Sequence, residues 1–262
     1  MASLGNVSVG STVKLNVNGS PKNFIVAHHG KPSSIYDSSC DGTWLLMQDI
    51  YTTMSWDGSD NSYKASDVHT YLNSTFIGLL DSVIQSAIKQ VKIPYQNGTG
   101  GSGSVSSGSS GISAKIFLLS GYELGWSTST SSAFPKDGAC LDYFSGTAEV
   151  DPKRIGYYNG TATRWWMRSP VIGNNTSVWY VNPSGDCGYN SYSNKYGVRP
   201  AFVLPKTFNV DGGDENPGYV NVGGVQKKLT GEGWINVGGV LRKITGAQVN
   251  TDGVLKKIYL GG

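Results

Sequence analysis

The chain has 262 residues, of which only 15% are charged, with 36 glycines, 15 tyrosines and 7 tryptophans. This balance suits a loop-rich extracellular or virion-type binding protein, one large domain with or without an appendage, better than a cytosolic helical enzyme. The net charge of +3 is small and its lysines and arginines are scattered, which excludes a nucleic-acid footprint, and no apolar run approaches the roughly 18 residues a membrane span needs.

Three cysteines, Cys40, Cys140 and Cys187, form no CxxC pair and have no histidine at metal-ligand spacing. The odd count argues against a disulfide framework. The N-terminus, MASLGNVSVGSTVKL, lacks a basic region followed by an apolar core, so no secretory signal is expected.

In chain order, residues 6–27 read as two short strands around an Asn-Gly-Ser-Pro turn at Asn18–Pro21, a hairpin signal. His28 and His29 end the second strand, but adjacent strand residues point to opposite faces, which disfavours a shared metal. Gly42–Trp56 reads as a strand and a loop against the core. Ser66 is placed as an N-cap with Asp67 in the first turn. Val68, Tyr71 and Leu72 then make Ser66–Asn73 one short amphipathic helix, with His69 a surface or packing residue. Phe76, Ile77, Leu79, Leu80, Val83 and Ile84 form a second helical patch, and Ala87–Tyr95 reads as a strand stopping at Pro94. Asn97–Gly111 is low-complexity Gly/Ser and is expected to be a flexible surface loop within one domain. Lys115–Ser120 is a short buried strand, and residues 134–160 show no regular period. Neither GxSxG nor GxxxxGK[ST] occurs.

The stretch Trp165–Leu204 has two stiff flanks, WWMRSP and GVRPAFVL, around a middle, Gly173–Tyr196, dominated by Asn, Ser, Tyr and Gly. Tyr supplies rigid amphipathic area while Ser, Gly and Asn supply adaptable hydrogen bonding, the mixture of a binding paratope. The same residues also build ordinary polar loops; the motif-like flanks favour the binding reading. Beyond them, Asn209–Gly218 reads as a linker, with Asp211, Asp214 and Glu215 a solvated acidic turn rather than a calcium site. NVGGVQKKL (Asn221–Leu229), NVGGVLRKI (Asn236–Ile244) and NTDGVLKKI (Asn250–Ile258) recur at about 14–15 residues, each a strand, turn, strand unit. These 219–262 repeats resemble those appended to phage tail and bacterial surface proteins.

Residues 1–208 resemble the C-type-lectin-fold variable proteins diversified by retroelements in phages and gut bacteria, whose fold is related to the formylglycine-generating enzyme. The matching stretches are SDVHTYLNSTF (Ser66–Phe76), KIFLLSGYELGW (Lys115–Trp126), WWMRSP (Trp165–Pro170) and GVRPAFVL (Gly197–Leu204). The resemblance implies an α+β domain of small antiparallel sheets, two helices and much irregular structure. It also implies a shallow ligand face built by residues 173–196. In that family template adenines, typically in AAY codons, are replaced, giving many residue types but never Trp, Lys, Gln, Glu or Met. Asn174, Asn175, Tyr180, Asn182, Asp186, Gly188, Tyr189, Asn190, Tyr192, Asn194 and Tyr196 are reachable in this way and are the implied ligand contacts. Cys187 is reachable too, whereas Trp179 and Lys195 are not and join the scaffold. Trp165, Trp166, Arg168, Pro170, Val198, Arg199, Pro200 and Phe202 are expected to point inward or brace the loop. Arg168 and Arg199 are expected to bond backbone carbonyls or acids such as Asp142.

The function implied is receptor binding or adhesion, without catalysis, cofactor or metal, on a phage tail or a bacterial cell surface. The expected partner is a bacterial surface protein or glycan, with a homotrimer or virion tail proteins engaged through the C-terminal repeats. The alternatives are an enzyme of the formylglycine-generating group, for which Cys187 has no partner in sequence, and an undiversified lectin-like surface module.

Overall fold

The computed structural model describes residues 2–100 and 103–210, together with the backbone strands 219–222, 225–228, 234–237, 240–243, 247–251 and 254–258. Two compact units result, Ala2–Gly213 and Asp214–Gly262. The first is a mixed α+β unit with two α-helices and several small, mostly antiparallel sheets.

Ten strands of this unit build two five-stranded sheets. In chain order they are β1 (Thr12–Val17), β2 (Ser20–His29), β3 (Thr43–Met47), β4 (Thr52–Ser55), β5 (Ile116–Phe117), β6 (Trp165–Pro170), β7 (Ser177–Val181), β8 (Cys187–Ser191), β9 (Lys195–Val198) and β10 (Ala201–Leu204). One sheet has the order β5-β10-β3-β2-β1 and the other β8-β7-β6-β9-β4. Pairing is antiparallel except for the β6–β9 contact at Trp165 and Gly197.

Local sequence explains the first hairpin. β1 alternates exposed and buried residues, with Val13, Leu15 and Val17 inward, as a strand with one solvated face must. The turn is tighter than expected: Asn18 and Gly19, at φ 50° and 70°, make it alone, and Pro21 already lies in β2 opposite Asn16. Positive φ at both central residues matches the right-handed twist of the flanking strands.

The first helix, α1 (Asp67–Ser74), starts where Ser66 accepts a hydrogen bond from His69 N and buries Val68 and Leu72. His69 packs on the Tyr63 ring at 5.0 Å, and burial pushes its imidazole down to about 4. The second helical patch divides into a 3-10 turn at Phe76–Leu79 and α2 (Ser82–Ala87). The strand expected over Ala87–Tyr95 is shorter than expected. Ala87 closes α2 and Val91–Ile93 alone pairs with Ile112–Ala114.

The Gly/Ser segment makes contacts along its described length. Its described residues are tied to the body of the unit: Val105–Ser106 pairs with Tyr95–Gln96, and Gly108 N donates to Ile35 O at 2.8 Å. Thr99 N donates to Asn61 Oδ1 at 2.6 Å. Three of its glycines permit close approach, while Gly108 faces open space. A Cβ on Gly98 would lie 2.3 Å from Asn61 O, on Gly103 2.7 Å from Ile172 Cδ1, and on Gly111 2.6 Å from Ile93 O.

The strand Ala2–Ser3 pairs with Asn209–Val210, so the first unit continues past Phe208 into the expected linker. The rest of that linker, with Asp211, Asp214 and Glu215, lies outside the described residues. In the second unit Tyr219–Val222 pairs with Val225–Lys228, Trp234–Val237 with Val240–Lys243, and Ala247–Thr251 with Val254–Ile258, all antiparallel. The Gly-Gly and Asp-Gly positions expected to turn these pairs lie outside the described residues.

Three arginines sit at 0–1% exposure in the first unit: Arg154, Arg168 and Arg199. A buried guanidinium is tolerable only when its donors are satisfied. Arg168 satisfies all five. Its Nε reaches Pro94 O, Nη1 reaches Leu118 O and Glu123 Oε2, and Nη2 reaches Glu123 Oε1 and Asp137 O, at 2.5–3.1 Å. The acid is therefore Glu123, not Asp142, and its charge holds the guanidinium firmly protonated against the cost of burial. Asp142 instead faces His28, 2.8 Å away, and burial still lowers that imidazole. Arg199 stacks on Trp165 at 5.0 Å and donates to Met47 O at 2.8 Å, where the chain crosses between the two sheets.

Candidate sheet-face site

The stretch 173–196 is not one loop. It supplies β7, β8 and the start of β9, joined by turns, and every residue of β7 is buried. In a strand successive side chains alternate between faces, so the register decides which residues meet. Trp166 pairs with Tyr180, and Tyr180 with Gly188. Tyr180 and Gly188 thus share a face with Asn190, two residues further along β8.

Trp166 is the floor of this face, fully buried, with its indole N–H on Met54 O at 3.1 Å. Tyr196 from β9 lies 4.5 Å from the Trp166 ring, and Tyr180 lies 4.9 Å from Tyr196 with its ring edge-on. Asn190 Nδ2 donates to the Tyr196 hydroxyl at 2.9 Å. Arg164 covers both tyrosines, with its guanidinium carbon 5.6 Å from the Tyr180 centroid and 5.7 Å from that of Tyr196. Its Nε donates to Asn182 Oδ1 at 3.3 Å. Gly188 makes room for this packing, since a Cβ there would stand 2.6 Å from the Tyr180 hydroxyl oxygen. Burial raises the Tyr180 phenol, against the Arg164 charge, so it stays protonated at neutral pH.

The face therefore gathers five of the eleven implied contacts: Tyr180, Asn182, Gly188, Asn190 and Tyr196. The other six are elsewhere. Tyr189 is 56% exposed but points to the opposite face, edge-on to Trp179 at 5.2 Å. Trp179 is held from below by Phe134, stacked at 3.8 Å. Asn174, Asp186 and Asn194 build turns. Asn174 Oδ1 accepts from Thr176 N and Ser177 N at 2.8 and 2.9 Å. Asp186 accepts from Asn182 and Ser184, and Asn194 Nδ2 donates to Ser191 O. Asn175 is exposed beside Gly100, and Tyr192 is half-buried with its carbonyl accepting from Trp56 N.

Of the implied scaffold, Trp165, Trp166, Arg168, Pro170, Trp179, Val198, Arg199, Pro200 and Phe202 are all buried, whereas Lys195 is exposed opposite Ser55. Sequence reasoning missed Arg164. The signal was there: two residues before Trp166, it must lie on the same face of an extended chain. It also missed Glu123 and Asp137, whose partners lie tens of residues away.

The three cysteines are free, with Cys40 buried, Cys187 intermediate and Cys140 exposed. Burial pushes the Cys40 thiol up to about 12 and that of Cys187 up to about 11, so neither is poised as a thiolate. Among the described residues no group of three or more His, Cys, Asp or Glu could hold a metal ion, and no helix is long and apolar enough to cross a membrane.

Compared with known proteins, residues 41–206 match the family model described as Domain of unknown function (DUF6273). The match takes in β3 to β10 and the whole of the sheet face. No curated protein and no solved structure matches the chain.

Proposed function

The chain belongs to that family, and we propose that it is a ligand-binding or adhesion protein whose first unit is a C-type-lectin-like domain presenting the β6–β9 face to a bacterial surface protein or glycan. On this reading residues 173–196 are the diversified segment, the C-terminal strand pairs are hairpin repeats that attach the domain to tail proteins or to other copies of the chain, and the protein works on a phage tail or a bacterial surface.

The observation that carries the proposal is the layering of that face. Tyr180, Tyr196, Asn182 and Asn190 meet there over Trp166, which is fully buried. Their surroundings are rigid. β6 is buried throughout and Arg168 within it has every donor engaged. Aromatic and amide side chains on a fixed floor bind with little ordering cost. Affinity of one face can be modest and still suffice when copies are displayed together.

The test is binding of the labelled full chain to a panel of bacterial cells, read by flow cytometry, with Asn190→Arg and Tyr196→Ala compared. Loss of binding in both folded variants supports the reading, and unchanged binding in both sinks it. Diversification has its own test in the surrounding DNA. A near-identical copy of the Trp165–Leu204 coding segment, differing at adenines beside a reverse transcriptase, is the expected finding.

A further inference from the structure

Arg164 is the unusual member of this face. It is exposed, lies outside the 173–196 segment, and its backbone is fixed, because its carbonyl accepts from Gly197 N at 2.8 Å. Its side chain is held as well, by two tyrosine rings and by Asn182. A guanidinium offers five N–H donors, and among the described residues only Nε has a partner, Asn182. Among the described residues no carboxylate forms an ion pair with it. The acid at this corner, Asp186, is already engaged by Asn182 and Ser184.

We infer that Arg164 is the fixed anchor of the site and that the site takes a carboxylate: the ligand is a protein segment bearing an exposed Asp or Glu, whose carboxylate lies against the Arg164 guanidinium. This rests on the reading of the β6–β9 face as the ligand surface. The physical case is one of pre-organisation. An exposed arginine ordinarily loses rotamer freedom when it binds, but here the rings and Asn182 have already fixed it. Its free donors are then offered as a planar fork that matches a carboxylate. A protein segment fits better than a sugar acid because the groups around Arg164 are side-chain amides and tyrosine hydroxyls on a sheet face, suited to peptide amides. The substitution pattern also fits. If residues 173–196 are the diversified segment, changes at 180, 182, 188, 190 and 196 alter what surrounds the anchor, while Arg164 lies outside that segment.

The test is a selection of displayed random peptides on the immobilised full chain, counter-selected on the Asn190→Trp chain, in which a bulky uncharged ring obstructs the face. Enrichment of Asp and Glu in the retained peptides is expected. Fluorescence anisotropy then compares one such peptide with its Gln and Asn counterpart on wild type, Arg164→Lys and Arg164→Gln. The acidic peptide should bind about tenfold or more tightly to wild type than to Arg164→Gln, with Arg164→Lys between them and the wild-type advantage shrinking with added salt. Thermal melts of the variants establish that they are folded. Retained peptides without acidic enrichment, or equal binding by wild type and Arg164→Gln, would overturn the inference and leave the face as a binding surface. Stronger binding of polygalacturonate than of the acidic peptide would overturn the protein ligand. Recovery of no peptide that discriminates the two chains would overturn both the inference and the surface on which it rests.

Discussion

Asp137 makes the sharpest test of the buried polar network. It is fully buried, its carboxylate accepts from Ser169 Oγ at 2.8 and 3.1 Å, and Arg168 bonds its carbonyl rather than its side chain. Burial raises the carboxyl to about 7, against the Arg168 charge. A raised acid binds more protons folded than unfolded, so stability falls as pH rises from the unfolded value near 4 through about 7 and is level above that. Three pH units correspond to about 4 kcal/mol, an upper bound on the loss. Asp137→Asn keeps the shape and cannot ionise. It should therefore match wild type only below about pH 4, pull ahead of it from there to about pH 7, and exceed it at pH 8 by up to about 4 kcal/mol. Urea unfolding followed by tryptophan fluorescence suits the measurement, because Trp44, Trp56, Trp126, Trp165, Trp166 and Trp179 all lie in the first unit. The reasoning fails if Asp137→Asn is the less stable chain at pH 8, or if both chains show the same slope between pH 5 and 8.

Other outcomes follow from the same geometry. Arg168→Met leaves Glu123 charged at 0% exposure without its partner, which should cost about 3–5 kcal/mol in urea unfolding; a loss below about 1 kcal/mol would show the pair to be dispensable. Gly185 and Gly173 both have positive φ, 87° and 73°, but a Cβ on Gly185 would stand 2.2 Å from Asp151 O while Gly173 faces open space. Gly173→Ala should cost about 1 kcal/mol and Gly185→Ala clearly more, with equal melting temperatures counting against the described turn. Thiol titration with Ellman's reagent should modify Cys140 first, Cys187 slowly and Cys40 only on unfolding, and early loss of Cys40 would contradict its burial.

Much of the frame was legible in the sequence because its signals are local. Alternation around Asn18-Gly19 gave the hairpin, and Ser66 with Val68 and Leu72 gave the first helix. Averaging over composition hides individual contacts. Asn97–Gly111 reads as flexible because Gly and Ser are common in linkers, yet Gly98, Gly103 and Gly111 are positions where another chain segment leaves no room for a Cβ. Gly173–Tyr196 reads as one polar segment, yet Ser177–Val181 inside it is a wholly buried strand. The Arg168–Glu123 pair spans 45 residues and brings in Asp137 and Pro94 besides. No window of sequence holds those groups together; only the fold does.

The network and the sheet face are separable. Arg168 draws its acceptors from Pro94, Leu118, Glu123 and Asp137, and Arg199 from Met47 and Arg154; none is a residue of 173–196. Trp165 and Trp166 likewise place their indole N–H groups on carbonyls of Arg154 and Met54. The side-chain contacts around Tyr180, Asn182, Asn190 and Tyr196 are instead made among themselves and with Arg164 and Asp186. Changing Asn182, Asn190 or Tyr196 leaves no buried donor of the frame unpaired, so its cost in stability stays small, whereas Tyr180 is buried and its truncation also loses packing. Gly188 is a further exception, because a Cβ there displaces the Tyr180 ring and hence the surface on which Arg164 rests. Variation at 188 should therefore act on ligand binding through Arg164, even when the new side chain touches nothing of the ligand.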